Sequence, residues 1–220
     1  MKFGKLVGAV SGLAICASAA TAQVCQGDLS FRNSSTHVGA ALSASDNATS
    51  FGGGMTFGHR QGLYAGGSLG MTSYSNNGGN AVAIGGALGY AMPMQRSKWQ
   101  VCPGGSLALG FGPSADVGGN TIHFSSQNLS LGASMGTAVA LSKTVNLLPF
   151  GSAAFGYTRV AAKVNGNSSS TTDTYLLLGM GAGFQLTPSL VLRPALSLAA
   201  GADLIDDTIF GLSVTFALPR

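Results

Sequence analysis

From Val38 onward, large apolar residues alternate with small ones in short runs separated by turn-forming residues. The last run is the clearest. Phe210, Leu212, Val214, Phe216 and Leu218 share one parity, and Gly211, Ser213, Thr215 and Ala217 share the other. Side chains alternate with period two along a strand, so this run is a strand with one greasy face and one small polar face. The same holds for Leu176, Leu178, Met180 and Leu186 against Leu177, Gly179, Gly181, Gly183 and Gln185, and for Leu190, Leu192, Leu196 and Leu198 against Val191, Arg193, Ala195 and Ser197. It also holds for Val82, Ile84, Leu88 and Tyr90 against Ala83, Gly85, Ala87 and Gly89. Only 147–160 resists, its parity failing near Ala153 to Phe155, as a bulge would cause.

Ten such segments are expected: 38–45, 50–59, 63–74, 81–92, 99–112, 122–141, 147–162, 174–186, 190–200 and 208–217. Eight is the alternative count, if the first pair is not part of the wall. The spacing is too irregular for a solenoid, which needs a fixed repeat.

Composition decides which face meets what. The chain is 45% hydrophobic and 8% charged, with 34 glycines and no Glu. A soluble domain carries roughly 25% charged residues. If the greasy faces pointed inward, the outside would be Gly, Ala and Ser with almost no charge to keep it soluble. If they point outward, a band of Leu, Val, Phe and Met meets acyl chains. Beyond residue 22 no stretch approaches the roughly 18 apolar residues of a membrane helix. A closed barrel is the other structure that satisfies its backbone in lipid. The expected fold is therefore all-β, a closed antiparallel transmembrane β-barrel over residues 38–217.

Residues 1–22 read as a secretory signal peptide, with Lys2 and Lys5 in the basic region and Ala20-Thr21-Ala22 as the cleavage site. A lipobox reading of Cys16 is disfavoured by the bulky Ile15 before it. Cleavage leaves nine basic residues against seven Asp, a balance of +2, which is no nucleic-acid footprint. It also leaves Cys25 and Cys102, an even pair in an exported chain and so a candidate disulfide.

An even strand number puts both termini at one rim, which bacterial barrels keep periplasmic. Charge then sorts by connection. Asp46, Asp116, Asp173, Asp203, Asp206 and Asp207 fall on outer loops, whereas Arg60, Arg96, Lys98 and Lys143 fall on periplasmic turns, with Arg32 and Arg220 beside them. Lys163 and Asp28 are the exceptions. Residues 23–37 form a periplasmic N-terminal segment. Ten strands with small inward residues leave a gap, and this segment, with Phe31 and Arg32, is expected to narrow it.

The arrangement resembles the small bacterial outer-membrane barrel families, OmpA-like, OmpX-like and porin-like. The likeness rests on the leader, the Gly-rich alternating strands over 38–217, and Gly211, Val214 and Phe216 in the last strand, spaced like a C-terminal outer-membrane targeting signal. Phe216 departs from that pattern in not being the final residue. The resemblance implies residence in a Gram-negative outer membrane, contact with its lipid and lipopolysaccharide, handling by the barrel assembly machinery and a monomeric state. It implies no particular activity.

Candidate chemistry is sparse. Asp203, Asp206 and Asp207 with His123 could sit at one rim like an omptin-like protease, but such loop tips are ordinarily solvated turns. The same three Asp residues lack the ordered ligand pattern of a calcium loop. His37 and His59 have no evident orienting acid for a serine hydrolase. No enzyme, cofactor or metal is expected. Arg193 is the charge on an inward face, and it either tunes a pore or hydrogen-bonds to lumen neighbours, the preferred reading. Arg159 falls in the segment of uncertain parity. The function expected is a structural or surface-interaction role, with a narrow passive porin-like pore as the alternative.

Overall fold

The computed structural model describes residues 24–31, 35–59, 62–75, 79–94, 97–117, 120–164 and 167–219. The leader with Cys16, and the charged Arg32, Arg60, Arg96 and Arg220, lie outside them.

Ten strands build the wall. They are β1 (Thr36–Ala44), β2 (Ala48–Gly58), β3 (Leu63–Tyr74), β4 (Asn80–Tyr90), β5 (Trp99–Val117), β6 (Asn120–Thr137), β7 (Asn146–Val164), β8 (Asn167–Thr187), β9 (Leu190–Ala200) and β10 (Thr208–Leu218). Two-residue pairings at Met92–Pro93 and Val139–Ala140 prolong the sheet at the rim that holds both termini. Each strand pairs antiparallel with the next, and β10 pairs back onto β1 through Val38↔Phe216 and Leu42↔Leu212. The ring is thus closed with ten strands, and closure removes the edges that an open sheet would expose.

The alternating pattern explains which face is outside. Ile84, Leu88, Leu131 and Phe155 are each more than half exposed, as are Leu63, Leu69 and Phe210. Such a surface is stable against acyl chains rather than water. Phe57, Tyr90, Trp99 and Phe216 are exposed near the terminal rim, and Phe111 and Tyr157 toward the other. Aromatic girdles of this kind mark the two borders of the apolar band.

Two expectations need correction. First, β7 has no bulge: its ladder to β8 runs unbroken from Asn146↔Gln185 to Val164↔Asn167. Parity there looked broken because Leu148 and Phe150 are large apolar residues on the inward face. Second, residues 113–117, 120–121, 163–164 and 167–173, expected in outer loops, are strand. β5 to β8 have 19, 18, 19 and 21 residues, against 9 to 12 in the other six. One side of the barrel therefore stands taller. The β8–β9 ladder begins only at Leu176↔Ala200, so residues 167–175 pair with β7 alone. The β4–β5 ladder ends at Val82↔Phe111, and β5 beyond it pairs only with β6. These strands escaped the period-two reading because the outward residues above the lipid are polar.

Candidate functional site

The lumen is the place where the chain collects its buried polar and charged groups, in three layers. At the terminal rim, residues 24–31 lie inside the ring. Val24–Gln26 is one turn of 3-10 helix. Cys25 is joined to Cys102 on the inward face of β5, with Cα atoms 6.0 Å apart. The Cys25 amide donates to Gln100 Oε1 at 3.3 Å, and Gln26 Nε2 donates to the Tyr64 hydroxyl at 3.0 Å. Leu29 packs against Leu148 of β7 and Val191 of β9. Phe31 stacks on the His37 ring of β1, centroids 4.2 Å apart. These partners come from strands all round the ring, which places the segment across the lumen as a plug. Two wall glycines make room for it. A Cβ at Gly183 would run into the Gly27 carbonyl, and one at Gly58 would run into the Phe31 ring. Gly27 itself turns the chain with φ +72, a conformation costly for other residues.

Arg193 and Asp28 hold the plug electrostatically. Arg193 is 8% exposed and Asp28 fully buried. Arg193 Nη1 donates to the Gln26 carbonyl at 2.8 Å and Nε to Ser213 Oγ at 3.1 Å, with the guanidinium 5.7 Å from the Phe150 ring centroid. Asp28 accepts from the Thr215 hydroxyl at 2.8 Å and the Leu29 amide at 2.8 Å. Burial pushes the Asp28 carboxyl above its ordinary range, and Arg193, the Leu29 amide and the Thr215 hydroxyl oppose that rise. Arg193 is thus an inward residue bonded to its lumen neighbours. Asp28, an exception to the charge sorting, is a buried partner of the plug and not a surface charge.

Above the plug comes a girdle of small residues. Ala41, Ala87, Ser106, Ser130, Ser152 and Ala195 are among those lining a cavity of about 180 Å³. Ser106 and Ser130 share a hydrogen bond at 2.8 Å across β5 and β6.

The third layer fills the end away from the termini. Ser50 and Thr72 share a hydrogen bond at 2.7 Å, and the Thr158 hydroxyl donates to Asn128 Oδ1. Tyr74, Phe124, Val160, Tyr175 and Ile209 are buried around them. The loop at 201–207 folds onto this layer, with Ile205 packed on Tyr175 and Ala199. Asp173 Oδ2 accepts from the Asp203 and Leu204 amides at 2.7 and 3.1 Å, and Asn47 Nδ2 donates to Asp206 at 2.7 Å. The loop expected to be wholly solvated is therefore half tucked in. Asp207 and Asp203 stay at its surface.

The candidate catalytic groups are not brought together. His123 faces outward on β6 opposite Lys163, whereas Asp206 reaches Asn47 at the mouth. His37 is buried with neither ring nitrogen hydrogen-bonded among the described residues. His59 is exposed just beyond β2. Among the described residues no cluster of His, Cys or Asp could hold a metal. Gly211, Val214 and Phe216 lie on β10, with Phe216 outward and Gly211 opposite Ser43 and Ala195. The wall residues Tyr64 and Phe150, which meet the plug, were missed by sequence reasoning. Their signal was a large residue on an otherwise small-residue face.

Residues 58–216 match the family described as the outer membrane protein beta-barrel domain. No curated protein matches the chain. Among solved structures, the β domain of the Bordetella autotransporter BrkA is 13% identical, covering 83% of this chain and 98% of its own, with a TM-score of 0.53. Ail, the attachment invasion locus protein of Yersinia pestis, is 19% identical over 84% of this chain and 98% of its own, with a TM-score of 0.44. The N-terminal β-barrel domain of Pseudomonas aeruginosa OprF is 15% identical over 85% and 100%, with a TM-score of 0.41. At these identities the likeness concerns the fold.

Proposed function

The chain belongs to the outer membrane protein β-barrel domain family, and from that premise we propose that it is a closed-lumen barrel of the bacterial outer membrane with a structural and surface-interaction role. The observation that carries this is the plug: residues 24–31 cross the lumen, tied by a disulfide to β5 and by Arg193 to β9. A diffusion pore would need both this plug and the packed layer of Tyr74, Phe124 and Tyr175 to move aside. The small-residue girdle that suggested a pore is only the middle of three layers.

The tall half of the wall supplies the interaction surface. Its residues 167–172 on β8 are exposed and, on the β9 side, have no strand partner among the described residues. Edge groups of this kind pair with an extended segment of another chain. The segment carries only Asn, Ser and Thr, so pairing there is polar. The protein acts as a monomer with respect to its lumen, since one copy fills its own barrel. Assembly in the membrane uses β10 with Gly211, Val214 and Phe216, the strand that closes the ring on β1.

Planar-bilayer recording of the folded protein tests the reading. It should give no conductance steps. Stable steps from the disulfide-bonded wild type would replace this function with the pore.

A further inference from the structure

The two cations that fitted worst in the sequence, Lys163 and Arg159, turn out to be neighbours. Both are exposed on the outward face of β7, four residues apart, which is roughly 13 Å along a strand. Opposite Lys163 stands His123 of β6, and opposite Arg159 stands Gln127. On the other side Lys163 faces Ser168 and Arg159 faces Thr172 of β8. Arg159 Nη2 donates to Ser170 Oγ at 3.4 Å. Among the described residues no carboxylate is bonded to either cation. Of the acidic residues of this tall sheet, Asp116 is placed on β5 opposite Thr121, and Asp173 on β8 opposite Thr158, its Oδ2 accepting from the Asp203 and Leu204 amides.

The position of this patch relative to the apolar band is sharp. One outward step toward the termini from Gln127 and Arg159 stand Leu129 and Tyr157, which pair with each other. Both are exposed, as are Leu131 and Phe155 one step further. Arg159 is thus roughly 7 Å along the strand above the last apolar pair, with Tyr157 as the aromatic border residue. That level is where lipid headgroups lie, and the rim is the one away from the termini, the outer rim of a bacterial barrel.

We propose that Arg159 and Lys163, with Gln127, Ser170 and Thr172 around them, form a docking site for the phosphorylated headgroup of a glycolipid in the outer leaflet. Arg159 supplies the planar fork suited to phosphate oxygens, and Lys163 supplies a point charge one headgroup away. Hydroxyls and the Gln127 amide complete hydrogen bonds to sugar and phosphate oxygens. The acyl chains descend over Tyr157, Leu129 and Phe155. The site rests on the outward orientation of the tall sheet proposed above.

The test uses the full folded protein in phosphatidylcholine nanodiscs doped with diphosphorylated lipid A or with its dephosphorylated form. Native mass spectrometry reads the bound lipid. The wild type should retain the phosphorylated form about tenfold better, the size expected for charge-assisted hydrogen bonds to phosphate. Arg159→Ala/Lys163→Ala should lose that preference, and Lys143→Ala, at the opposite rim, should keep it. Excess inorganic phosphate should not strip the lipid. Equal retention of the two lipids by the wild type, an unaffected double variant, or complete displacement by free phosphate would each overturn the site. Both substituted residues are exposed, and heat-modifiable migration confirms that the variants fold. Orientation is read separately, by labelling Ser169→Cys on intact cells, so an inward-facing sheet is distinguished from an outward sheet that ignores phosphate.

Discussion

At the terminal rim the lumen is filled by a segment that is not part of the wall, whereas at the opposite rim it is filled mainly by the wall's own side chains, with the 201–207 loop folded onto them. The two ends use different interactions as a result. The plug has lost chain freedom without gaining strand hydrogen bonds, so it is held by a disulfide, the hydrogen bonds of Arg193 to Gln26 and of Thr215 to Asp28, and the stacking of Phe31 on His37. The outer layer needs no covalent anchor, and Asp173 ties down only the short loop above it. Its hydroxyls pair across adjacent strands, Ser50 with Thr72 and Asn128 with Thr158, and its tyrosines project from residues already fixed by the ladder. Ordering cost falls where the backbone is already ordered. Fully buried charge is therefore found at the end where a whole segment must be fixed inside the lumen, and neutral pairs fill the interior of the other.

That contrast sets the size of each perturbation. The largest effect should come from Arg193→Met. It removes two hydrogen bonds made by a charged group, to the Gln26 carbonyl and to Ser213, and the positive charge that favours the Asp28 carboxylate, a loss of about 3–5 kcal/mol. The urea midpoint of the folded barrel should fall accordingly, and adding Asp28→Asn should recover part of it. The pH dependence has a definite sign. With Arg193 gone the Asp28 carboxyl is pushed further above its unfolded value of about 3.9. The neutral form then favours folding, so the variant is most stable below that value and loses stability as pH rises through the raised one. An Arg193→Met barrel equally stable at all pH values would mean that Asp28 is not desolvated.

Removing the disulfide comes next. In Cys25→Ser/Cys102→Ser the cross-link across 77 residues is lost. The chain-entropy account gives up to about 4 kcal/mol for a loop of that length, with less usually measured. The double variant should still be electrically silent, because the outer layer remains. At the other end, Asp173→Ala removes the acceptor of two loop amides. A cost of about 1 kcal/mol is expected, seen as faster amide exchange at Asp203 and Leu204 with little change in global unfolding. Smallest of all, Asn47→Ala breaks one exposed contact to Asp206 and should change the unfolding free energy by less than about 0.5 kcal/mol.

The same contrast separates what was legible in the residues from what was not. Strands β3 and β9 have the bounds that alternation predicts, 63–74 and 190–200, because lipid outside and lumen inside impose opposite demands on successive residues. Where one demand ceases, the signal ceases too. β8 continues through Ser168 to Thr172 although its outward residues no longer face lipid, so the strand is invisible to a hydrophobic pattern. β7 fails in the other direction. Leu148 faces Leu29 of the plug and so breaks the rule that inward residues are small. Cys25, Cys102 and Arg193 were readable one by one. Their convergence on residues 24–31 was not, since Gln26 and Arg193 are 167 residues apart in sequence, and no local pattern encodes that contact.

The claim that the lumen is shut at both ends is tested most directly from inside it. Ala195→Cys places a thiol in the small-residue girdle between the plug and the outer layer. Its rate of modification by a charged, water-soluble thiosulfonate is measured on the folded barrel in lipid, with reagent on either side. No modification is expected until the protein is unfolded. Rapid modification from either face would contradict that closure and show an open aqueous path to the middle of the barrel.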